Sequence, residues 1–173
     1  MNLIKKILVP TDFSALSFAG IEYARSLGEQ YGAEIHLVYV IESFSGRQTP
    51  YVDEFSETVL RDKDTEALRR LEEASRKFFS ETKRVIHVIL RGDPVEEIVR
   101  YARFRDCDLI VMATHGRTGV AHIMVGSVAE KIVRHSPVPV LTVKPEEMKN
   151  HFMEREDIDE QLHLPSPESK ISK

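Results

Sequence analysis

Five short apolar runs alternate with four stretches of helical periodicity, and this alternation constrains the fold more than any other feature of the chain. The runs are residues 4–9 (IKKILV), 35–41 (IHLVYVI), 85–90 (VIHVIL), 109–112 (LIVM) and 137–143 (PVPVLTV). Their content of Val, Ile and aromatic residues marks them as strands. The fourth is apolar throughout, as expected of a parallel strand covered on both faces. Pro10 closes the first strand, and the early prolines of the fifth fit an edge strand or a strand's beginning. Between the first two strands, Leu16, Gly20, Tyr23, Ala24, Leu27 and Tyr31 repeat at helical spacing, after N-cap candidates in residues 11–14 and before Gly32. Gly20 in that stripe marks either a close approach to a sheet or a tolerated surface glycine.

Residues 54–80 read as a long charged helix with Ala67, Leu71, Ala74 and Phe78 on one side and a candidate break at 61–64. Asp93 as N-cap and Pro94 at the first helical position open a third helix, striped by Val95, Ile98, Val99 and Ala102. The fourth helix carries Val128, Ile132 and Val133. Strand and helix in alternation predict an α/β fold, with an open five-stranded parallel sheet, right-handed crossovers and helices on both faces. Residues 42–53, which contain Ser, Gly and Pro, are expected to form a loop.

Charge divides the chain in two. Of 24 lysines and arginines and 28 aspartates and glutamates, residues 145–173 hold four and eight, leaving 20 of each before them. The chain therefore reads as one domain over residues 1–144 and an acidic C-terminal extension over 145–173. The extension is expected to be partly disordered, with Met148 and Phe152 able to pack its first part. A neutral body without a basic stripe speaks against a nucleic-acid partner. No apolar run approaches the roughly 20 residues of a membrane span, and the N-terminus lacks the long apolar region of a signal peptide. One cysteine, Cys107, leaves no disulfide framework. These features predict a cytoplasmic protein without a membrane partner. Seven histidines are scattered without a ligand-like pair, so no dedicated metal site is expected. His36 and His87, on strands, read as structural, and Cys107 as an inert apolar residue.

The chemistry concentrates in residues 113–127 (ATHGRTGVAHIMVGS), between the fourth strand and the fourth helix. Gly116 and Gly119 open the stretch and Gly126-Ser127 close it at a helix start. Unpaired N–H groups and the positive end of the helix dipole favour an anion there. In open α/β sheets, ligands bind at the carboxyl ends of strands where the strand order reverses. An order 3-2-1-4-5 would set Pro10, Thr11 and Asp12 opposite this stretch, although alternation alone does not fix that order. Other nucleotide motifs are absent. The first turn, VPTDFS, has no glycine fingerprint, and no G-x-x-x-x-G-K-[ST], G-x-S-x-G or H-E-x-x-H occurs. Lys131 lies too far into its helix to stand in for a P-loop lysine.

The pattern Val9-Pro10-Thr11-Asp12, the segment ATHGRTG and the later GSVAEKIVRHSPVPVLTVK resemble the universal stress protein family, over residues 3–144. Its ATP-binding members carry G-x-x-G, nine residues, then G-[ST]. Here Ala113-Thr114-His115-Gly116 is followed by nine residues and then Gly126-Ser127. The resemblance implies a Rossmann-like, adenine nucleotide alpha hydrolase-like sheet of order 3-2-1-4-5 that binds ATP. It implies that Asp12 accepts hydrogen bonds from the ribose, that Pro10 and Thr11 wall the base pocket, and that Val40 meets adenine through its backbone. Met112 and Ala113 would border ribose and phosphates. Gly116, the N–H groups of Gly126, Ser127 and Val128, and the Ser127 hydroxyl would hold the phosphates, with His115 and Arg117 beside them. A magnesium ion (Mg2+) accompanying ATP would be held mostly by phosphates and water. The resemblance also implies a homodimer in which the last strand, Val138 to Val143, pairs with its mate.

Ala113 departs from the pattern. If its position needs a positive φ, a Cβ costs about 1–2 kcal/mol; if glycine serves only to admit phosphate, a methyl group narrows the site. Three functions stay open on the sequence alone. The first is a regulatory stress-response protein that binds ATP, hydrolyses it slowly at most and acts on an unknown protein partner. The second is a nucleotide-free dimeric interaction module of the same fold. The third is a weak ATPase or an adenylyl- or phosphoryl-transfer enzyme using His115 or Arg117. Plainer roles compete at each residue: Asp12 and Ser127 as helix caps, His115 as a packed loop residue, Arg117 as a solvated charge.

Overall fold

The computed structural model describes residues 4–42, 55–79, 85–116 and 125–145. Of the expected loop at 42–53, Glu42 instead ends a strand, and residues 43–53 lie outside the described residues, as do Arg117 and Gly119 in the glycine stretch and the acidic extension from residue 146. The elements alternate as expected: β1 (Lys6–Pro10), α1 (Phe18–Tyr31), β2 (Glu34–Glu42), α2 (Phe55–Phe78), β3 (Val85–Gly92), α3 (Pro94–Phe104), β4 (Leu109–Ala113), α4 (Ser127–His135) and β5 (Val140–Val143). All five strands are parallel to their neighbours, in the order β3-β2-β1-β4-β5.

The two-residue period of the strands sends alternate side chains to opposite faces. Ile7, Val9, Ile35, Leu37 and Val111 pack against Ile21 and Ala24 of α1 and Leu71 and Ala74 of α2. Leu8, Val38, Ile110 and Met112 pack against Ile98 and Ala102 of α3 and Ala129 and Ile132 of α4. Both faces of the sheet are therefore covered by helices, which is why Ile7, Leu8 and Val9 of β1 are all fully buried.

Three boundaries differ from the sequence reading. Residues 11–14 do not cap α1, which starts at Phe18 after Ser17. Their side chains instead hold a turn: Thr11 Oγ1 accepts from the Phe13 N–H at 3.0 Å, and Asp12 Oδ1 accepts from the Ser14 N–H at 3.0 Å and its hydroxyl at 2.6 Å. Helix α2 runs from Phe55 to Phe78 without the break at 61–64. Strand β5 begins at Val140 instead of Val138. Pro137 and Pro139 have no N–H for a ladder, and the Ser136 hydroxyl closes a bend by donating to the Val138 carbonyl at 2.7 Å.

The structural roles read for His36 and Cys107 hold. His36 is fully buried, with Nδ1 2.8 Å from the Tyr101 hydroxyl and Nε2 2.8 Å from Glu34 Oε1. Burial pushes the Cys107 thiol up to about 11, which keeps it protonated and unreactive. On β3, His87 is held below the usual histidine range by burial.

Gly20 proves to be a point of close approach. A Cβ there would lie 2.9 Å from the Ala113 N and 3.0 Å from the Met112 Cα, so α1 rests directly on the backbone at the carboxyl end of β4. Gly20→Val should destabilise the fold by about 1–3 kcal/mol through overpacking. An unchanged midpoint in urea unfolding would show that α1 can move away freely.

Candidate ligand crevice at the reversal of strand order

Strand β1 ends at Pro10, opposite Val38, while β2 continues to Glu42. The last bond between them runs from the Thr11 N–H to the Val38 carbonyl at 2.9 Å. Alternate residues of a parallel strand direct their backbone groups to the same edge. The edge of β2 that Val38 turns to β1 is therefore also the edge that Val40 presents, past the end of β1. On the other side of β1 lies β4, with Ile7 opposite Leu109 and Leu8 opposite Ile110. The chain leaves β1 toward β2 and returns from β3 to β4, so the loops at the carboxyl ends diverge.

A crevice of about 420 Å³ opens between them. Pro10, Thr11, Asp12, Val40, Met112, Ala113, His115, Gly116, Gly126, Ser127 and Val128 all line it. Arg117 lies outside the described residues. The volume falls within the range of small-molecule sites, about 300–1,000 Å³.

The first wall is the β1–α1 turn. Thr11 is buried, and its Oγ1 lies 3.0 Å from the Ser17 Oγ. Asp12 reaches across toward β4, because a Cβ on Gly116 would overlap the Asp12 Oδ2. Gly116 is thus a glycine for space: among described glycines only Gly32 and Gly92 have positive φ. The same observation settles the question posed by Ala113. Among the described residues, the non-glycine ones with positive φ are Phe13 and Asp106, and Ala113 is the last residue of β4. Its methyl group carries no backbone strain. His115 fits its plainer role as a packed loop residue, being buried with Nδ1 3.0 Å from the Thr114 Oγ1.

Three helix N-termini border the crevice. At α1 the Phe18, Ala19 and Gly20 N–H groups donate to the Ala15, Leu16 and Ser17 carbonyls, and the other two differ sharply. At α3, Asp93 Oδ1 accepts from the Val95 and Glu96 N–H groups at 2.9 and 3.1 Å, Pro94 has no N–H, and the Glu97 N–H donates to the Asp93 carbonyl at 3.0 Å. Its donors are spent and its first turn carries Glu96 and Glu97. At α4 the N-cap is Gly126, which offers no side chain. The Gly126 N–H donates to the Thr114 carbonyl at 2.7 Å, which corrects the expectation that it faces a phosphate. The Glu130 N–H is taken by the Gly126 carbonyl at 3.0 Å. The N–H groups of Ser127, Val128 and Ala129 have no hydrogen-bond partner among the described residues. An uncapped helix start of this kind attracts anions.

Sequence reasoning missed three charged residues of the lining, Glu42, Asp93 and Lys131. Glu42 lies opposite Gly92 in the β2–β3 register, which brings it beside Asp93. Carboxylates therefore gather at the β2–β3 end, while Lys131 and the α4 dipole make the other end positive. The β2–β3 register could not be read from the chain, and Lys131 was judged only as a P-loop lysine.

An open parallel sheet of this order, with an uncapped helix and Gly116 where the order reverses, defines a Rossmann-like α/β domain with a crevice at the carboxyl ends of its strands. The family model described as "Universal stress protein family" matches residues 3–144, and the chain belongs to that family. It is similar to Universal stress protein MJ0531 of Methanocaldococcus jannaschii, at 36% identity over 83% of this chain and 84% of that protein. The solved structure of protein MJ0577 from the same organism superposes with a TM-score of 0.72, at 32% identity over 83% of this chain and 98% of that one. More distant structures share the fold. One is a universal stress protein in complex with cAMP, at 22% identity, TM-score 0.54, over 83% of this chain and 98% of that one. Another is from Archaeoglobus fulgidus in complex with dAMP, at 18% identity, TM-score 0.51, over 83% of this chain and 100% of that one.

Because Ala113 is unstrained, Ala113→Gly should lower stability by about 0.5–1 kcal/mol, the entropic cost of a strand glycine. A rise in the urea midpoint would mean that the Cβ is strained after all.

Proposed function

We propose that this chain binds an adenine nucleotide, ATP foremost, in the crevice and acts as a dimeric regulatory protein of the cytoplasm. The observation that carries the reading is the contrast between the N-termini of α3 and α4, one closed by its own aspartate and one bare. An anionic group is drawn to α4 and excluded from α3. The rest of the nucleotide then extends toward β2. There the backbone edge of Val40 is set to meet the base, and Glu42 and Asp93 are acceptors for amino donors such as that of adenine. Asp12, at the middle of the crevice, is placed to accept from ribose hydroxyls, and Met112 and Ala113 floor the site. Related proteins of this fold have been solved with cAMP and dAMP, which supports an adenine nucleotide in general terms. Magnesium, if it accompanies ATP, would be held chiefly by phosphates and water. Binding is proposed in preference to turnover, because the His115 ring is packed against Thr114 in the loop. A single buried thiol suits the reducing cytoplasm.

The dimer is proposed through β5. Among the described residues no strand pairs with its outer edge, and Leu141 on the strand and Val133 on α4 are exposed. An apolar edge strand is a template for pairing with a second copy.

Two measurements test these readings. Mass spectrometry of the small molecules released by denaturing the purified protein should find an adenine nucleotide, and calorimetry should detect ATP binding. Ser127→Asp places a carboxylate at the first position of α4, where it favours the helix and repels phosphate. ATP affinity should fall at least about tenfold, or 1.4 kcal/mol, at an unchanged or raised melting temperature. Retained affinity would remove the phosphate from α4. For the dimer, Leu141→Lys should convert the protein to a monomer in light scattering, and a monomeric wild type would overturn the assembly.

A further inference from the structure

Lys131 carries more than its place in the lining suggests. It is four residues beyond Ser127 on α4 and lines the crevice with it. Residues four apart share one helix face, separated by a rise of about 6 Å. Helical Cα–Cβ bonds tilt toward the N-terminus, so the long Lys131 stem runs back along that rise. A stem of four methylenes is long enough to bring the ammonium to the level of the first turn, where the N–H groups of Ser127, Val128 and Ala129 are open. Its side chain has no partner among the described residues. The neighbouring charges of α4 are engaged elsewhere: Arg134 Nη2 lies 3.4 Å from Glu130 Oε1, and His135 Nδ1 lies 2.8 Å from the Lys131 carbonyl. Among described lining residues Lys131 is the one permanent cation, set against the carboxylates of Asp12, Glu42 and Asp93.

Three backbone N–H groups can serve one phosphate group. Each further phosphate adds negative charge and three acceptor oxygens that these amides cannot reach, and an ammonium supplies three donors and a charge for them. We propose that Lys131 reads the second phosphate, so that the crevice selects nucleoside di- and triphosphates over monophosphates. The inference rests on the adenine-nucleotide reading of the crevice and assigns its phosphate specificity to one residue.

Isothermal titration calorimetry of the full chain with AMP, ADP and ATP, in magnesium-free buffer and again with magnesium, tests it. Wild type should bind ADP and ATP more tightly than AMP. Lys131→Gln keeps most of the stem and loses the charge. It should weaken ADP and ATP by about 10–100-fold, the loss expected of a charge-assisted hydrogen bond, and AMP by less than about threefold. Lys131→Arg should restore most of the preference. The slope of log Kd against log salt for ATP should be shallower in Lys131→Gln than in wild type. Equal losses for all three nucleotides, or no loss, would overturn the inference. So would a wild type that binds the three alike, which leaves the adenine-nucleotide reading intact. A wild type that binds none removes both. Because Lys131 is exposed, the melting temperature of Lys131→Gln should stay within about 1 °C of wild type, and a larger fall would assign it a structural role instead.

Discussion

Asp108 accepts hydrogen bonds from the backbone N–H groups of Lys5 and Lys6 through one carboxylate oxygen, at 2.8 and 2.9 Å, where β4 enters beside β1. The Asp108 N–H returns a bond to the Lys6 carbonyl at 3.0 Å. This junction joins strands about a hundred residues apart and fixes the register in which Ile7 faces Leu109. Everything at the opposite, carboxyl end depends on it. With β4 held beside β1, the chain must wind outward in both directions from the middle of the sheet, and the loops after β1 and β4 must part. Gly20 secures the same arrangement from one face, because the absence of a side chain lets α1 rest on the backbone of Met112 and Ala113.

The crevice so formed is polarised by how each element ends. Helix α3 begins with Asp-Pro, which satisfies its own donors and places a carboxylate over its positive end. Helix α4 begins with Gly-Ser, and the glycine N–H is drawn back to the Thr114 carbonyl, which ties the start of α4 to the end of β4. The following donors remain at the crevice. Glu42 and Asp93 make one end negative, and Lys131 strengthens the positive end at α4. The fold supplies the cavity, while the caps and charges give its two ends opposite polarity.

Much of this was legible because it is written in local patterns. Asp93-Pro94 as a helix start and the apolar LIVM strand each rest on neighbours in sequence, and each holds in the structure. The readings that shifted are those in which a side chain chose between local partners. Thr11 and Asp12 had the composition of N-caps, but they bond Phe13 and Ser14 in a turn, and α1 starts later. Pro139 has no N–H to donate, although its carbonyl accepts from the Ile110 N–H at 3.0 Å, and β5 starts at the residue after it. Lys131 was passed over because spacing alone does not say which face of α4 looks into the crevice.

The sequence by itself determined the alternation of strands and helices, the glycine-bearing stretch after β4 and the membership of the family. These depend on hydrophobic period, turn chemistry and motif spacing, all short-range. Only the tertiary structure decided what the glycines are for and what the charges do. Gly116 is required by the approach of Asp12, and Gly20 by the backbone of β4, neither by its own φ. Ala113 is tolerated because it lies in extended backbone. The electrical polarity of the crevice arises from residues on β2, α3 and α4 that meet only when the sheet assembles, since contacts between distant segments are set by packing and not by local pattern.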